Sequence, residues 1–108
     1  MKGAKNMGNR MYRICLTVPL SSREGTMLLS DINGRIEGCL NLMNEKNKLY
    51  GTLSGDGRLN LFGVIQTLVS TVHYTAMGAI KGQKIFLNLK TDAGACYSLT
   101  GEECSIDG

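Results

Sequence analysis

The chain has 108 residues, which is enough for one domain with a single modest core and too few for two. With 43% hydrophobic and 19% charged residues, it does not have the composition of a disordered protein. Its net charge of +3 comes from Lys2, Lys5 and Arg10, because basic and acidic side chains are equal in number from residue 11 onward. The folded part is therefore neutral overall, which gives no reason to expect a nucleic-acid partner.

The cellular compartment predicted from the sequence also predicts the chemical state of the cysteines. No apolar run is long enough to span a bilayer, and the N-terminus lacks the apolar core of a secretory signal. We therefore expect a cytoplasmic protein with no membrane partner, in which cysteines are thiols. No two cysteines are spaced like the paired ligands of a zinc site. We expect no metal and no cofactor at Cys15, Cys39, Cys96 and Cys104.

The chain begins with residues 1–10, which we expect to form a flexible basic tail. Alternating apolar residues then predict a first strand over residues 11–18. Pro19 ends this strand, since proline has no amide hydrogen for a ladder. The polar residues 21–25 predict a turn.

The middle of the chain predicts three strands joined by turns. Residues 26–32 form a second strand whose inner face stays ambiguous, because three apolar residues are consecutive. Asn33-Gly34 is the strongest two-residue hairpin signal and leads into a third strand over residues 35–43. Residues 44–47 predict the next turn, and residues 48–54 a fourth strand.

The longest alternation spans residues 58–80 and predicts a hairpin of the fifth and sixth strands. Residues 84–91 and 95–101 predict the last two strands, and residues 102–108 a C-terminal tail. Residues 11–101 are thus predicted to form one β domain. The predicted inner faces hold Tyr12, Ile14, Leu16, Val18, Ile36, Gly38, Leu40, Leu42, Leu49, Gly51, Leu53, Leu59, Leu61, Gly63, Ile65, Val72, Tyr74, Ala76, Gly78, Ile80, Ile85, Leu87, Leu89, Tyr97 and Leu99.

Short connections make consecutive strands antiparallel neighbours. The sequence therefore predicts an all-β fold, an antiparallel meander of about eight strands. Such a meander removes its exposed edges by forming a small closed or nearly closed barrel. The alternative is a two-layer β-sandwich of the same strands.

Two surfaces of this fold are candidate binding sites. Inside, Tyr12, Tyr74 and Tyr97 could line a pocket for a small ligand, with the space left by Gly63 and Gly78. The same glycines are also explained by sharp strand bending. Outside, apolar residues on three successive strands predict one exposed patch, an interface formed by Phe62, Val64, Met77 and Phe86 together with Ala79.

Catalysis is not expected from this sequence. The predicted inner faces carry no acid, base or nucleophile with a partner, and His73, the only histidine, is predicted to face outward. No catalytic residue is therefore assigned. The aromatic residues are not interleaved with basic ones along the chain, so no nucleic-acid platform is expected.

Three stretches, Gly25-Thr-Met-Leu28, Asn33-Gly34 and Leu68 to Gly78, resemble a group of small uncharacterised bacterial all-β proteins. The resemblance extends over residues 12–101 and implies a fold more than an activity. The architecture is also similar to calycin barrels of the lipocalin and avidin type. Because the chain has no tryptophan, the Gly-x-Trp motif of that family is missing, and neither lipocalin membership nor a biotin site is implied.

From these patterns we expect a non-enzymatic binding module acting through protein–protein contacts, self-associating as a homo-oligomer through its exposed apolar sheet face. The alternative is a β-barrel that binds or sequesters a small molecule in a tyrosine-lined interior.

Overall fold

The computed structural model describes residues 8–18, 21–67 and 69–104. No helix long and apolar enough to cross a membrane occurs in these residues. They form eight strands: β1 (Gly8–Val18), β2 (Ser21–Ile32), β3 (Arg35–Leu42), β4 (Glu45–Leu53), β5 (Arg58–Gln66), β6 (Thr71–Lys81), β7 (Lys84–Thr91) and β8 (Cys96–Cys104).

The strands form a closed barrel. Each strand pairs antiparallel with the next one, and β8 pairs with β1 from Met11 opposite Cys104 to Thr17 opposite Ser98. The predicted antiparallel meander and its closure are confirmed, and the sandwich alternative is wrong. Closure leaves no open edge, so the backbone groups of the first and last strands satisfy each other.

Two predicted turns are wrong. Val18 pairs directly with Ser21, so the polar residues 21–25 belong to β2. The turn between β3 and β4 consists of Met43 and Asn44, both at positive φ, instead of residues 44–47. A two-residue turn of this type needs positive φ at both positions. Methionine rarely adopts positive φ, so its presence in the sequence does not indicate such a turn. The Asn33-Gly34 turn, by contrast, has the expected positive φ values of 56° and 89°.

The strands also extend beyond the predicted ends of the domain. β1 already begins at Gly8, which lies opposite Asp31, and β8 continues to Cys104. Residues 8–10 and 102–104 are therefore paired, whereas the rest of both predicted tails lies outside the described residues.

The barrel interior is a packed core. Alternate residues of every strand point inward, and β2 contributes Met27 and Leu29, which resolves the ambiguous strand. The largest fully buried side chains come from all parts of the sheet: Tyr12, Met27, Leu40, Leu49, Leu59, Ile85, Leu89 and Leu99. Aliphatic packing from the surrounding strands is what stabilises a barrel of this size.

Glycines on the inner face mark close approaches between strands. A Cβ added at Gly78 would overlap the carbonyl oxygen of Phe86 on β7, and one at Gly51 would overlap that of Asn60 on β5. The backbone of the neighbouring strand therefore occupies the space that a side chain would need. Absence of a side chain here lets the sheet coil tightly enough to close.

Candidate functional site

One end of the barrel is an open apolar cavity, which we call the mouth. It lies where β1, β3 and β5 end and where β6 and β8 begin. The mouth has a volume of about 400 Å³. Its lining consists of Leu16, Val18, Arg23, Leu42, Met43, Ile65, Thr67, Val69, Val72 and Tyr97. A concave apolar cavity with a few polar groups is the usual form of a small-molecule site, and barrel mouths are a common location.

The polar groups of the mouth lie at its rim. The guanidinium of Arg23 is exposed, and its Nη1 donates hydrogen bonds of 3.3 Å to Ser21 Oγ and 3.4 Å to the Ser22 carbonyl. The hydroxyl of Thr67 donates to the carbonyl of Ser70 at 3.0 Å. These contacts leave other guanidinium hydrogens of Arg23 available, since the group has five donors.

Tyr74 lies one inner-face layer below the mouth, because it follows Val72 by two residues on β6. Its side chain is buried, and its hydroxyl has no hydrogen-bond partner among the described residues. Burial raises the pKa of the Tyr74 hydroxyl to about 12. The hydroxyl oxygen lies 3.0 Å from where a Cβ of Gly63 would be, so it occupies the space beside that glycine.

The five residues predicted to line an interior site are therefore spread over the barrel. Tyr97 lines the mouth, and Tyr74 lies opposite Gly63 beneath it. Tyr12 is fully buried, with a second hydroxyl that has no partner among the described residues. Gly78 contacts the backbone of β7.

Asn47, which the sequence predicted to lie in a turn, is a buried residue of β4 near the mouth. Its amide nitrogen donates to the Leu40 carbonyl at 3.2 Å and to the Glu45 carbonyl at 3.3 Å. Its side-chain oxygen accepts from the Gln66 amide at 2.9 Å. Asn47 thus connects β3, β4 and β5 through its side chain. Its position two residues before the inward Leu49 was the signal for its burial.

The opposite end of the barrel is polar. Arg10, Asp31 and Glu103 occupy inner-face positions there, since they pair with the inward residues Leu29, Ile36 and Tyr12 respectively. The Asp31 carboxylate accepts a hydrogen bond of 2.9 Å from the amide of Gly34. The sequence analysis predicted shorter first and last strands and assigned Arg10 and Glu103 to the terminal tails. It therefore did not predict this charged end of the barrel.

The predicted outer patch is exposed, with one addition. Phe62, Met77 and Phe86 are exposed to 54%, 62% and 44%. Tyr50 on β4, which the sequence analysis omitted, is exposed to 42%, and its ring centroid lies 6.0 Å from that of Phe62. Val64 is half-buried. We call Tyr50, Phe62, Met77, Ala79 and Phe86 the apolar band.

The residues considered for chemistry are dispersed. His73 is exposed on the outer face of β6, opposite Val64. Within residues 8–18, 21–67 and 69–104, no three histidine, cysteine, aspartate or glutamate side chains are grouped closely enough to hold a metal ion. The four cysteines are free thiols.

No model of a protein family, no curated protein and no solved structure matches this chain.

Proposed function

We propose that this protein is a non-enzymatic binding module that holds a small, largely apolar molecule in the mouth of its barrel. The observation that carries the proposal is the open cavity of about 400 Å³, lined mostly by aliphatic side chains. The apolar surface of an open cavity is in contact with water until a ligand covers it. Each ligand methylene that becomes buried there contributes roughly 0.8 kcal/mol to the free energy of binding.

The rim favours an amphipathic ligand with a negative group. Aliphatic side chains of Leu16, Ile65 and Val72 line the cavity, while Arg23 at its edge can donate two parallel hydrogen bonds to a carboxylate. Tyr97 adds an aromatic wall with a hydroxyl.

The first test is a titration with the fluorescent amphipathic anion anilinonaphthalene sulfonate, followed by displacement with dodecanoate. Val72→Asp places a charge in the mouth and is expected to weaken binding of the dye by at least about tenfold. Phe62→Ser removes an exposed ring from the apolar band and serves as the matched control, with unchanged affinity. Weakening by Phe62→Ser and not by Val72→Asp would contradict the proposal and assign the dye to the outer face.

A second candidate function is protein–protein contact through the apolar band, with self-association into a homo-oligomer. The four exposed side chains of the band favour it, since contiguous exposed apolar patches commonly mark interfaces. We rank it second because the band lies on the convex outside of the barrel, with Lys48 beside Tyr50 and Lys84 beside Phe86. Like charges placed opposite each other in a symmetric dimer are destabilising.

Native mass spectrometry tests this second candidate. Self-association through the band predicts a dimer or larger assembly that Phe62→Ser combined with Phe86→Ser converts to a folded monomer. A wild-type monomer at micromolar concentration, or an oligomer unchanged by both substitutions, would exclude it.

We also propose a cytoplasmic location, as expected for a small protein whose four cysteines are thiols.

A further inference from the structure

The outward positions of β4 to β7, which we call the β4–β7 face, carry a one-sided charge. Six of the 12 basic residues of the chain occupy them: Lys46, Lys48, Arg58, Lys81, Lys84 and Lys90. No acidic residue occupies an outward position of these four described strands. Glu45 at the start of β4 has the inner-face register, since it pairs with the buried Leu42. The net charge from residue 11 onward is zero although one side of the barrel is positively charged.

Most of this positive charge has no internal partner. Arg58 forms an exposed ion pair of 3.8 Å with Asp56 in the adjoining turn. Among the described residues, none of the five lysines lies within ion-pair distance of a carboxylate. The face is bounded by an acidic residue on each side: Glu102 on β8 lies opposite Lys84, and Glu37 on β3 lies opposite Tyr50.

The strand register brings aromatic and basic side chains together on this face. One cross-strand row runs from Tyr50 through Phe62 and Thr75 to Lys90. Lys48 precedes Tyr50 by two residues and therefore lies beside it on the same face. Same-strand neighbours such as Lys48 and Tyr50 are thus joined on this face by rings and charges from the neighbouring strands.

A second row repeats the pattern about 14 Å along the strands. It runs from Arg58 through Ala79 to Phe86. Lys84 lies beside Phe86 and directly opposite Lys81. Met77 lies between the two rows, paired with Asn60 and Asn88. The apolar band therefore runs diagonally for about 20 Å, with lysines along its sides.

We propose that the β4–β7 face binds single-stranded nucleic acid. Each nucleotide brings one negative phosphate and one flat base, and the face offers ammonium groups beside exposed rings in two successive rows. Stacking of bases on aromatic side chains within a positive surface is the general mode of sequence-independent single-strand binding. A duplex offers phosphates but no free base faces, so it would use the charges alone.

Charge complementarity selects this occupant over a second copy of the chain. A second copy docked by the same face would place cations opposite cations, whereas a polyphosphate strand neutralises them and releases its own counterions. This inference concerns the outer surface and is independent of ligand binding in the mouth. The sequence alone had led us to expect no nucleic-acid partner, because the folded part is neutral in total and aromatic and basic residues are not interleaved along the chain.

The test uses the full chain and a fluorescein-labelled, mixed-sequence DNA single strand roughly 12 nucleotides long, followed by fluorescence anisotropy over a range of salt concentrations. Wild-type protein is expected to bind, with an affinity that falls as salt rises. Lys48→Gln combined with Lys90→Gln should weaken binding at low salt by about tenfold or more and reduce the slope of log affinity against log salt by roughly 1.4. Arg13→Gln combined with Arg35→Gln removes the same charge from the outer faces of β1 and β3, and should leave binding unchanged.

Stacking is tested separately. Phe62→Ala should weaken binding by about fivefold or more, because stacking contributes roughly 1–3 kcal/mol per base. Ile32→Ala, which shortens another exposed apolar residue outside the face, should not change it. Thermal unfolding of all variants confirms that they fold.

Several outcomes would overturn the inference. One is no binding of the single strand at low salt. Others are equal losses from the lysine and arginine double variants, which would indicate a general charge effect, or equal affinity for a duplex of the same length. Tighter binding of poly-glutamate than of the single strand would assign the face to an acidic polypeptide.

Discussion

The hydroxyl of Tyr74 illustrates how a single residue connects the core with the mouth. It is a buried donor without a partner among the described residues, directly beneath an open cavity. A buried hydroxyl without a hydrogen bond costs free energy, roughly 1–3 kcal/mol on the scale of protein mutations. The buried Thr91 lies directly opposite Tyr74 on β7, and its hydroxyl accepts a hydrogen bond of 3.1 Å from the Ala95 amide. A ligand with a polar group that reaches the Tyr74 hydroxyl would recover this cost.

The buried hydroxyl of Tyr74 is expected to make the stability of the fold depend on pH. Burial raises the pKa of its hydroxyl to about 12 in the folded state, from an ordinary value of 10.0. The neutral form is favoured by folding, so its contribution is fully present below pH 10 and is lost as the pH rises to about 12. Between these values, wild type should lose up to about 2–3 kcal/mol more unfolding free energy than Tyr74→Phe, measured by urea titration.

The variant is its own control at neutral pH, where Tyr74→Phe should be at least as stable as wild type because it removes an unpaired hydroxyl. Parallel stability curves for the two proteins from neutral pH to pH 12 would show that the hydroxyl is not held neutral by burial.

At the scale of elements, the glycines of the inner face let neighbouring strands approach. Gly78→Ala would place its Cβ against the Phe86 carbonyl, which is backbone and cannot rotate away. We expect this substitution to lower the unfolding free energy by about 2–3 kcal/mol or more in urea titrations. Gly55→Ala is the matched control, because no atom lies within 4 Å of its Cβ position, and we expect a change within about 0.5 kcal/mol.

Equal stabilities of the Gly78→Ala and Gly55→Ala proteins would show that the close approach at Gly78 is not required for the barrel.

The elements also show what the sequence could predict. Alternation identified the inward residues of most strands, because one side of each strand must be buried in a meander that closes. Turns with a distinctive residue pair, such as Asn33-Gly34, were located correctly. The Met43-Asn44 turn was not, since its geometry depends on positive φ at a methionine. Asn47 was misplaced for the same reason. The predicted turn was two residues too long and included Asn47, so its hydrogen bonds to three strands could not be predicted.

To predict the candidate binding surfaces, the register between neighbouring strands must also be known. Alternation indicated that Phe62, Met77 and Phe86 face outward, and this was sufficient to predict an apolar patch. Charges on the same strand, such as Lys84 beside Phe86, follow from the alternation as well. Charges on neighbouring strands depend on how far each strand is shifted against the next, and no local pattern encodes that shift. The mouth likewise forms from strand ends whose positions were predicted only to within a few residues.

At the scale of the whole molecule, the barrel separates three environments. One end is an apolar mouth, the other end carries Arg10, Asp31 and Glu103, and the side formed by β4 to β7 is basic. A total charge of +3 describes none of them. Because the core is packed by aliphatic side chains, ligands have access to the ends and the outside of the barrel, and binding there requires no opening of the sheet.

Binding of a small amphipathic molecule in the mouth is tested most directly by a two-dimensional amide NMR titration of the isotope-labelled protein with dodecanoate. We predict saturable shifts at mouth residues such as Leu16, Ile65, Val72 and Tyr97, with the amides of the apolar band unchanged. Shifts confined to the β4–β7 face, or no shifts up to the solubility limit of dodecanoate, would contradict the assignment of the mouth as the binding site.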